Sequence, residues 1–170
     1  MPVGSSTGAS SVRDRLAALV DWERRDRGAS MRVDTEPVAD LLARSGAPQR
    51  SFRPIHLAGS KGKGSVAAWI DAGLRRAGLS TGRYTSPHLE TLEERACIDG
   101  RPCAPRALDQ ALERSLDALE AARAAGTAAR DATWFDVLTA SAFGVFADAG
   151  VERQVIEWGL GGRLDSTNVL

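Results

Sequence analysis

A glycine-rich segment in the first half of the chain has the composition of a phosphate-binding loop. It runs His56-Leu-Ala-Gly-Ser-Lys-Gly-Lys-Gly-Ser65, after a short apolar run and before a segment with helical spacing. Glycines let backbone N–H groups approach an anion closely, and the dipole of the following helix favours negative charge there. The side chain of Lys63 would reach the outer phosphates of a nucleotide. The segment therefore predicts an ATP site formed by Gly59, Ser60, Lys61, Gly62, Lys63, Gly64 and Ser65.

The spacing of this loop departs from the strict Walker A pattern. That pattern requires glycine five residues before Gly62, where the chain has Leu57, and Ser or Thr after Lys63, where it has Gly64. Taken alone, the loop indicates only an anion site. A glycine-rich strand-to-helix turn with a solvated lysine is the alternative interpretation.

The elements around the loop alternate between strand and helix patterns. Apolar runs predict strands at 52–58, 81–85 and 154–157 and an edge strand at 95–98. Apolar residues at helical spacing predict helices at 12–26, 35–45, 65–77, 105–125 and 133–149. This order predicts an α/β fold, a mostly parallel sheet flanked by helices. Glu157 falls at the carboxyl end of a predicted strand, where α/β sheets place their sites.

Charge and cysteine content narrow the function classes. Lys plus Arg (22) equals Asp plus Glu (22), so the net charge does not favour nucleic acid or an anionic membrane. No apolar run approaches the ~20 residues that span a bilayer, and residues 1–10 lack the apolar core of a secretory signal. Cys97 and Cys103 do not have metal-ligand spacing, which indicates reduced thiols. We therefore expect a cytoplasmic protein with neither nucleic acid nor membrane as a partner.

Five segments, covering roughly residues 50–170, resemble one enzyme family. The phosphate loop is similar to that of folylpolyglutamate synthases and dihydrofolate synthases in the Mur ligase superfamily. The other four matching segments follow in the family's order: Tyr84-Thr-Ser-Pro-His-Leu89, Glu94-Arg-Ala-Cys-Ile-Asp-Gly100, Trp134-Phe-Asp-Val-Leu-Thr-Ala140 and Glu157-Trp-Gly-Leu-Gly-Gly-Arg-Leu-Asp-Ser-Thr-Asn168. The chain departs from the family at Ser60, where Thr is usual, and at Trp158, where Val is usual. Neither departure removes a charged group.

The resemblance implies a reaction and roles for individual residues. ATP would phosphorylate a carboxylate of folate or dihydropteroate, and the amine of L-glutamate would attack the acyl phosphate to form an amide. Lys63 would clamp the γ-phosphate, Ser86 and Glu157 would bind Mg²⁺, and Asp165 and Asn168 would act near the acyl phosphate. The residues implied in substrate binding lie in or next to the second segment: Thr85, Ser86, Pro87, His88 and Arg95.

The same resemblance predicts the domain organisation. Residues 1–50 would form a helical lead-in, and residues 51–170 would form an incomplete P-loop NTPase-like domain, equivalent to the Mur ligase central domain. The chain would then be the N-terminal fragment of an enzyme that is monomeric at full length. Two alternatives remain open: a peptidoglycan Mur-type amino-acid ligase, and a nucleotide-binding fragment without activity of its own.

Overall fold

A computed structural model describes residues 11–21, 34–159 and 162–170 of the chain. In chain order the helices are α1 (Val12–Ala17), α2 (Glu36–Arg44), α3 (Lys63–Arg76), α4 (Pro105–Ala125) and α5 (Trp134–Ala149). The strands are β1 (Pro54–Leu57), β2 (Thr81–Tyr84), β3 (Ala96–Ile98), β4 (Arg101–Pro102) and β5 (Arg153–Glu157). Short 3₁₀ turns connect them at Pro48–Ser51, Leu92–Arg95, Ala128–Asp131, Gly162–Leu164 and Ser166–Val169. Residues 1–10, positions 22–26 of the first predicted helix and positions 160–161 of the last matching segment lie outside the described residues.

The strands form one mixed sheet in the order β1-β5-β2-β3-β4. Strand β5 pairs in parallel with β1 on one side and β2 on the other. Strands β3 and β4 continue the sheet as an antiparallel ribbon beside β2. The predicted α/β fold is confirmed. The strand predicted at 95–98 begins one residue later and is not the edge, because β4 pairs along its outer side.

Helices cover the two faces of this sheet. Alternate residues of a strand face opposite sides, and β2 shows both. Thr81 donates a hydrogen bond to Asp71 of α3 at 2.5 Å, whereas Gly82 lies against Phe146 of α5. A Cβ atom at Gly82 would lie 2.7 Å from the Phe146 ring, so glycine permits α5 to pack directly on the sheet. The result is three layers, with α3 on one face and α5 on the other.

The apolar core lies mainly between the sheet and helices α4 and α5. Tyr84, Phe143 and Phe146 are fully buried there, and their rings contact one another or Phe52 edge-on or at a tilt. The tyrosine hydroxyl pairs with Thr139 of α5 at 2.9 Å, so its polar atom is satisfied inside the core. Helix α5 is apolar around most of its surface, as expected of a helix buried between a sheet and other helices.

Helices α1 and α2 pack onto the same core. Leu16 of α1 and Val38, Leu41 and Leu42 of α2 are buried in it. Helix α1 ends at Ala17, earlier than predicted. Beyond it the carbonyl of Val20 accepts a hydrogen bond from the N–H of Trp134 at 3.0 Å, so a tertiary contact replaces another helical turn. Among the helices that the structure describes, none has both the length and the hydropathy to cross a bilayer.

Candidate nucleotide and metal site

The glycine-rich segment joins β1 to α3 as predicted. Strand β1 ends at Leu57, residues 58–62 are exposed, and α3 begins at Lys63. Gly62 precedes the helix with φ = 74°, a left-handed conformation that costs other residues about 1 kcal/mol or more. Because Gly62 has no side chain, it leaves the first N–H groups of α3 uncapped. These groups carry the positive end of the helix dipole and can bind an anion.

Lys63 and Glu157 meet beside this loop. The Lys63 Nζ atom lies 3.9 Å from Oε1 of Glu157, and the two side chains are 18% and 7% exposed. A Cβ atom at Gly64 would lie 3.5 Å from Oε2 of Glu157, so the start of α3 passes directly over the carboxylate. Helix α3, β1 and β5 thus bring a cation and a carboxylate together at the carboxyl edge of the sheet.

The Glu157 carboxylate is poorly compensated. Burial raises its pKa above the ordinary value of 4.5, while the Ser86 N–H and the charges of Lys63 and Arg83 lower it by less. The Ser86 N–H donates to Oε2 of Glu157 at a long 3.4 Å. A desolvated carboxylate with a distant lysine and one weak hydrogen bond would be stabilised by a further cation.

These groups fit Mg²⁺, which the family resemblance implies. Magnesium prefers oxygen ligands, keeps several waters and commonly binds one or two protein groups together with phosphate oxygens. The Glu157 carboxylate is such a ligand, and Ser86 adds a hydroxyl in the neighbouring loop. No group of three or more His, Cys, Asp or Glu side chains able to hold a metal occurs within the described parts of the chain. A carboxylate and a hydroxyl would suit a metal whose other ligands are waters and phosphate oxygens.

The predicted substrate loop follows β2. Thr85 continues the pairing of β2 with the segment before β3, because its N–H donates to the carbonyl of Arg95 at 3.2 Å. The Ser86–Pro87 peptide bond is cis. His88 accepts a hydrogen bond at Nδ1 from Nε of Arg95 at 2.8 Å. The structure places Thr85, Ser86, Pro87 and His88 in one loop at the same sheet edge as Glu157, with Arg95 hydrogen-bonded to it through His88.

Arg95 itself lies beneath the loop. It is 1% exposed, and its guanidinium carbon lies 4.8 Å from the centre of the Trp134 ring. A cation over an indole face is stabilised electrostatically. The side chain therefore holds His88 and the loop against α5. A direct contact between Arg95 and a substrate stays a prediction.

Asp165 and Asn168 lie in the 3₁₀ turn near the chain end. Oδ1 of Asp165 accepts hydrogen bonds from the N–H and the hydroxyl of Thr167, at 2.9 and 2.5 Å. The Asn168 N–H donates to the carbonyl of Asp165 at 2.9 Å. Ser166, between them, donates to Asp136 of α5 at 2.5 Å. The turn is thus anchored to α5.

The turn and Glu157 belong to opposite faces of the sheet. Glu157 pairs with Leu57 and faces α3, whereas His56 and Ile156, one position back, face α5. The ring of His56 contacts Thr167 in the turn at 2.8 Å. Sequence reasoning placed Lys63, Glu157, Asp165 and Asn168 in one site. The structure divides them into two groups that share the sheet edge.

Arg83 was missed by the sequence reasoning. Its Nε atom lies 3.9 Å from Asp71 of α3, and its charge lowers the pKa of Glu157. One amino group of its guanidinium donates to Sγ of Cys97 at 3.3 Å. Alternation along β2 puts Arg83 on the same face as Thr81, but it does not show from the sequence which face that is. Arg83 thus places a second cation near the carboxylate on the α3 face.

Fold and site together define an α/β domain with an anion-binding loop at the start of a helix and a buried carboxylate beside it. No protein-family model matches the chain. It is 40% identical to the dihydrofolate synthase/folylpolyglutamate synthase of Mycobacterium tuberculosis, over 98% of this chain and 36% of that protein. The chain belongs to the folylpolyglutamate synthase and dihydrofolate synthase family.

Solved structures agree with this family. Folylpolyglutamate synthase of Mycobacterium tuberculosis complexed with ADP has a TM-score of 0.71 and 42% identity, over 78% of this chain and 30% of that one. A complex of FPGS with AMPPCP and folate has a TM-score of 0.80 and 36% identity, over 94% of this chain and 38% of that one. The chain thus spans about a third of the length of these relatives.

Proposed function

We propose that this chain provides the nucleotide- and metal-binding part of an ATP-dependent ligase that adds L-glutamate to folate, to dihydropteroate or to both. The observation that carries the proposal is the meeting of Lys63 and Glu157 beside the glycine-rich loop. Its support is membership of a family in which one solved relative was complexed with ADP and another with AMPPCP and folate.

The chemistry explains why such a site is needed. A carboxylate is a poor acyl donor, because an oxide would have to leave; phosphorylation by ATP turns that oxygen into a phosphate leaving group. The glutamate amine then attacks the acyl phosphate to form an amide and release phosphate. As two anions approach each other, Lys63 and the N–H groups at the start of α3 would neutralise the phosphates. Magnesium, held by Glu157 and Ser86, would supply further charge neutralisation on the phosphate oxygens.

The remaining residues receive roles in the same proposal. Gly59, Ser60, Lys61, Gly62, Gly64 and Ser65 would complete the phosphate loop. Thr85, Ser86, Pro87 and His88 would contact the pterin-bearing substrate, with Arg95 supporting them from below. Asp165 and Asn168 would act at the acyl phosphate from the α5 side of the sheet edge. Residues 51–170 would form the ATP-binding domain, and residues 1–50 its helical lead-in.

The proposed setting is a monomeric cytoplasmic enzyme acting on small molecules. Equal numbers of acidic and basic residues favour small-molecule substrates over nucleic acid or anionic membranes. The buried thiols of Cys97 and Cys103 have pKa values raised by burial, which agrees with unreactive, reduced cysteines.

A ligase assay of the full-length protein, coupled to AMPPCP binding, separates the candidate functions. We expect AMPPCP to bind, and ADP release to depend on L-glutamate together with folate or dihydropteroate. Turnover restricted to UDP-muramyl substrates would favour the peptidoglycan Mur-type ligase instead. Binding of AMPPCP without glutamate-dependent turnover would favour a nucleotide-binding module. Absence of AMPPCP binding would refute the proposal.

A further inference from the structure

Four side chains form a hydrogen-bonded chain on the α5 side of the sheet edge. Trp158, just past β5, has its indole nitrogen 3.3 Å from Nδ1 of His56. Nε2 of His56 lies 2.8 Å from the Thr167 hydroxyl, and that hydroxyl lies 2.5 Å from Oδ1 of Asp165. We call Trp158, His56, Thr167 and Asp165 the His56 chain. It links the ends of β1 and β5 to the turn that contains Asp165.

Each hydrogen bond in the His56 chain can have only one assignment of donor and acceptor. An indole nitrogen is always a donor, so Nδ1 of His56 must accept its hydrogen bond. The Thr167 hydroxyl donates to Oδ1 of Asp165, so it accepts from His56. Nε2 of His56 therefore carries the proton, and the ring is neutral. Burial lowers the pKa of His56, against an opposing effect of Asp165, and this agrees with a neutral ring.

The His56 chain leaves the two carboxylate oxygens of Asp165 in different environments. Oδ1 receives both hydrogen bonds from Thr167, whereas Oδ2 is buried and has no hydrogen-bond partner in the described part of the structure. Oδ2 lies beside Gly159, where a Cβ atom would approach it to 3.1 Å. Gly159 is two residues after Glu157. A buried carboxylate oxygen without a donor is costly to maintain.

We propose that Trp158 and His56 are positioning residues for Asp165. Together they set the tautomer of His56, which directs the Thr167 hydroxyl to Oδ1 and holds Oδ2 beside Gly159 as an acceptor for an N–H group of a bound substrate. The role deepens the proposed ligase function and rests on it, because the substrate amine of that reaction is an N–H donor of this kind.

If Asp165 only capped the turn, most of the hydrogen bonds in the His56 chain would not be needed. Capping the turn requires only the hydrogen bond from the Thr167 N–H to Oδ1 of Asp165. Neither the indole nitrogen nor a particular imidazole tautomer contributes to that cap. A structural role therefore predicts losses of stability alone, whereas positioning predicts lower turnover in folded variants.

The tautomer can be measured directly on this chain. It contains two histidines, so ¹⁵N-histidine labelling and long-range ¹H–¹⁵N correlation give two ring patterns. His56→Gln removes one of them and thereby assigns the other to His88. We expect a neutral His56 protonated at Nε2 at pH 7. A ring protonated at Nδ1, or at both nitrogens, would overturn the proposal.

Trp158→Phe tests the positioning role, since it keeps an aromatic ring but removes the donor. We expect loss of the single tautomer and a fall in kcat of about tenfold, roughly the effect of one hydrogen bond, with KM for ATP unchanged. Trp69→Phe is the matched control, because Trp69 is 75% exposed on α3; it should leave both quantities unchanged. An unchanged tautomer and kcat in Trp158→Phe would refute the role.

A pair of His56 variants completes the test. His56→Gln retains a side-chain N–H for Thr167, whereas His56→Leu does not, so the glutamine variant should keep more of the wild-type kcat. Equal losses in the two variants would contradict positioning. If the wild-type protein shows the expected tautomer but no glutamate-dependent turnover, the ligase proposal is refuted. The hydrogen-bond assignment within the His56 chain would still hold.

Discussion

Two regions at one edge of the sheet differ in exposure and in how their polar groups are bonded. The phosphate loop, residues 58–62 on the α3 side, is exposed and is shaped by its backbone. The Asp165 turn, residues 165–169 on the α5 side, has Asp165, Ser166 and Thr167 buried and tied by side-chain hydrogen bonds. Each of the two regions lies beyond the carboxyl end of a parallel strand.

The difference indicates how each region is completed. Beside the loop, Glu157 is desolvated and has a lysine at 3.9 Å and one long hydrogen bond, so a ligand or metal must supply the rest. In the turn, Thr167 supplies two hydrogen bonds to Oδ1 of Asp165, and Oδ2 is the carboxylate oxygen left without a partner among the described residues. We therefore expect substitutions at the loop to affect activity and those at the turn to affect stability as well.

Lys63→Ala should have the largest effect on activity. Loss of the cation facing the phosphates should lower glutamate-dependent ADP release by about 10²-fold or more. The free energy of unfolding should fall by about 1–2 kcal/mol, because the substitution leaves the buried Glu157 carboxylate without the lysine that lies 3.9 Å away. Arg76→Ala, which removes a charge from the far end of α3, is the control. Retained turnover in Lys63→Ala would show that the loop does not bind phosphate.

Thr167→Val should cause the largest loss of stability. It removes the hydroxyl that bridges His56 and Asp165 and leaves the partly buried ring N–H of His56 without an acceptor. We expect urea denaturation to show a loss of about 2 kcal/mol. Thr167→Ser keeps the hydroxyl and should recover most of it. A wild-type unfolding curve for the valine variant would mean that the turn is not held by this bridge.

Gly62→Ala should have a smaller effect, through the backbone alone. With φ = 74° at this position, alanine should cost about 1 kcal/mol of stability. The loop would also shift, so AMPPCP affinity should fall. Gly73→Ala, in the last turn of α3 with open space around it, should instead stabilise the chain by about 0.5–1 kcal/mol. Equal effects of the two substitutions would contradict a strained loop.

The dependence of stability on pH that arises from Asp136 should be the smallest of these effects. Burial raises its pKa above the ordinary 3.8, and hydrogen bonds from Ser166 and Thr133 lower it by less. The native state thus binds the proton more tightly than the unfolded state. Stability should fall as pH rises from about 3.8 through the raised value, and then level off. The difference in stability between the wild type and Asp136→Asn, measured by urea unfolding between pH 4 and 7, should show this fall.

Much of the architecture could be predicted from local patterns. The helices at 105–125 and 133–149 begin at or within one residue of their predicted starts, because Pro105 and the Thr133–Asp136 capping box mark them in the sequence. The first helix was predicted too long, because the hydrogen bond from Trp134 to Val20 is a long-range contact that no local pattern contains.

The candidate site was predictable in part. The types and spacing of Gly62, Lys63 and Glu157 indicated a loop before a helix and a carboxylate at a strand end, and the structure brings them together. Arg83 and the His56 chain were not predicted, because each depends on which strand face a side chain occupies. A period of two leaves that choice open until the register with neighbouring strands is known.

By itself, the sequence determined the order of strands and helices, the glycine-rich loop and the family, because these depend on residue type and spacing along the chain. Only the tertiary structure decided that Glu157 faces α3 while Asp165 lies on the α5 side, and that Trp158 sets the tautomer of His56. Pairing of β5 between β1 and β2 is the physical reason, since residues 102 positions apart, His56 and Trp158, meet only when those strands are neighbours.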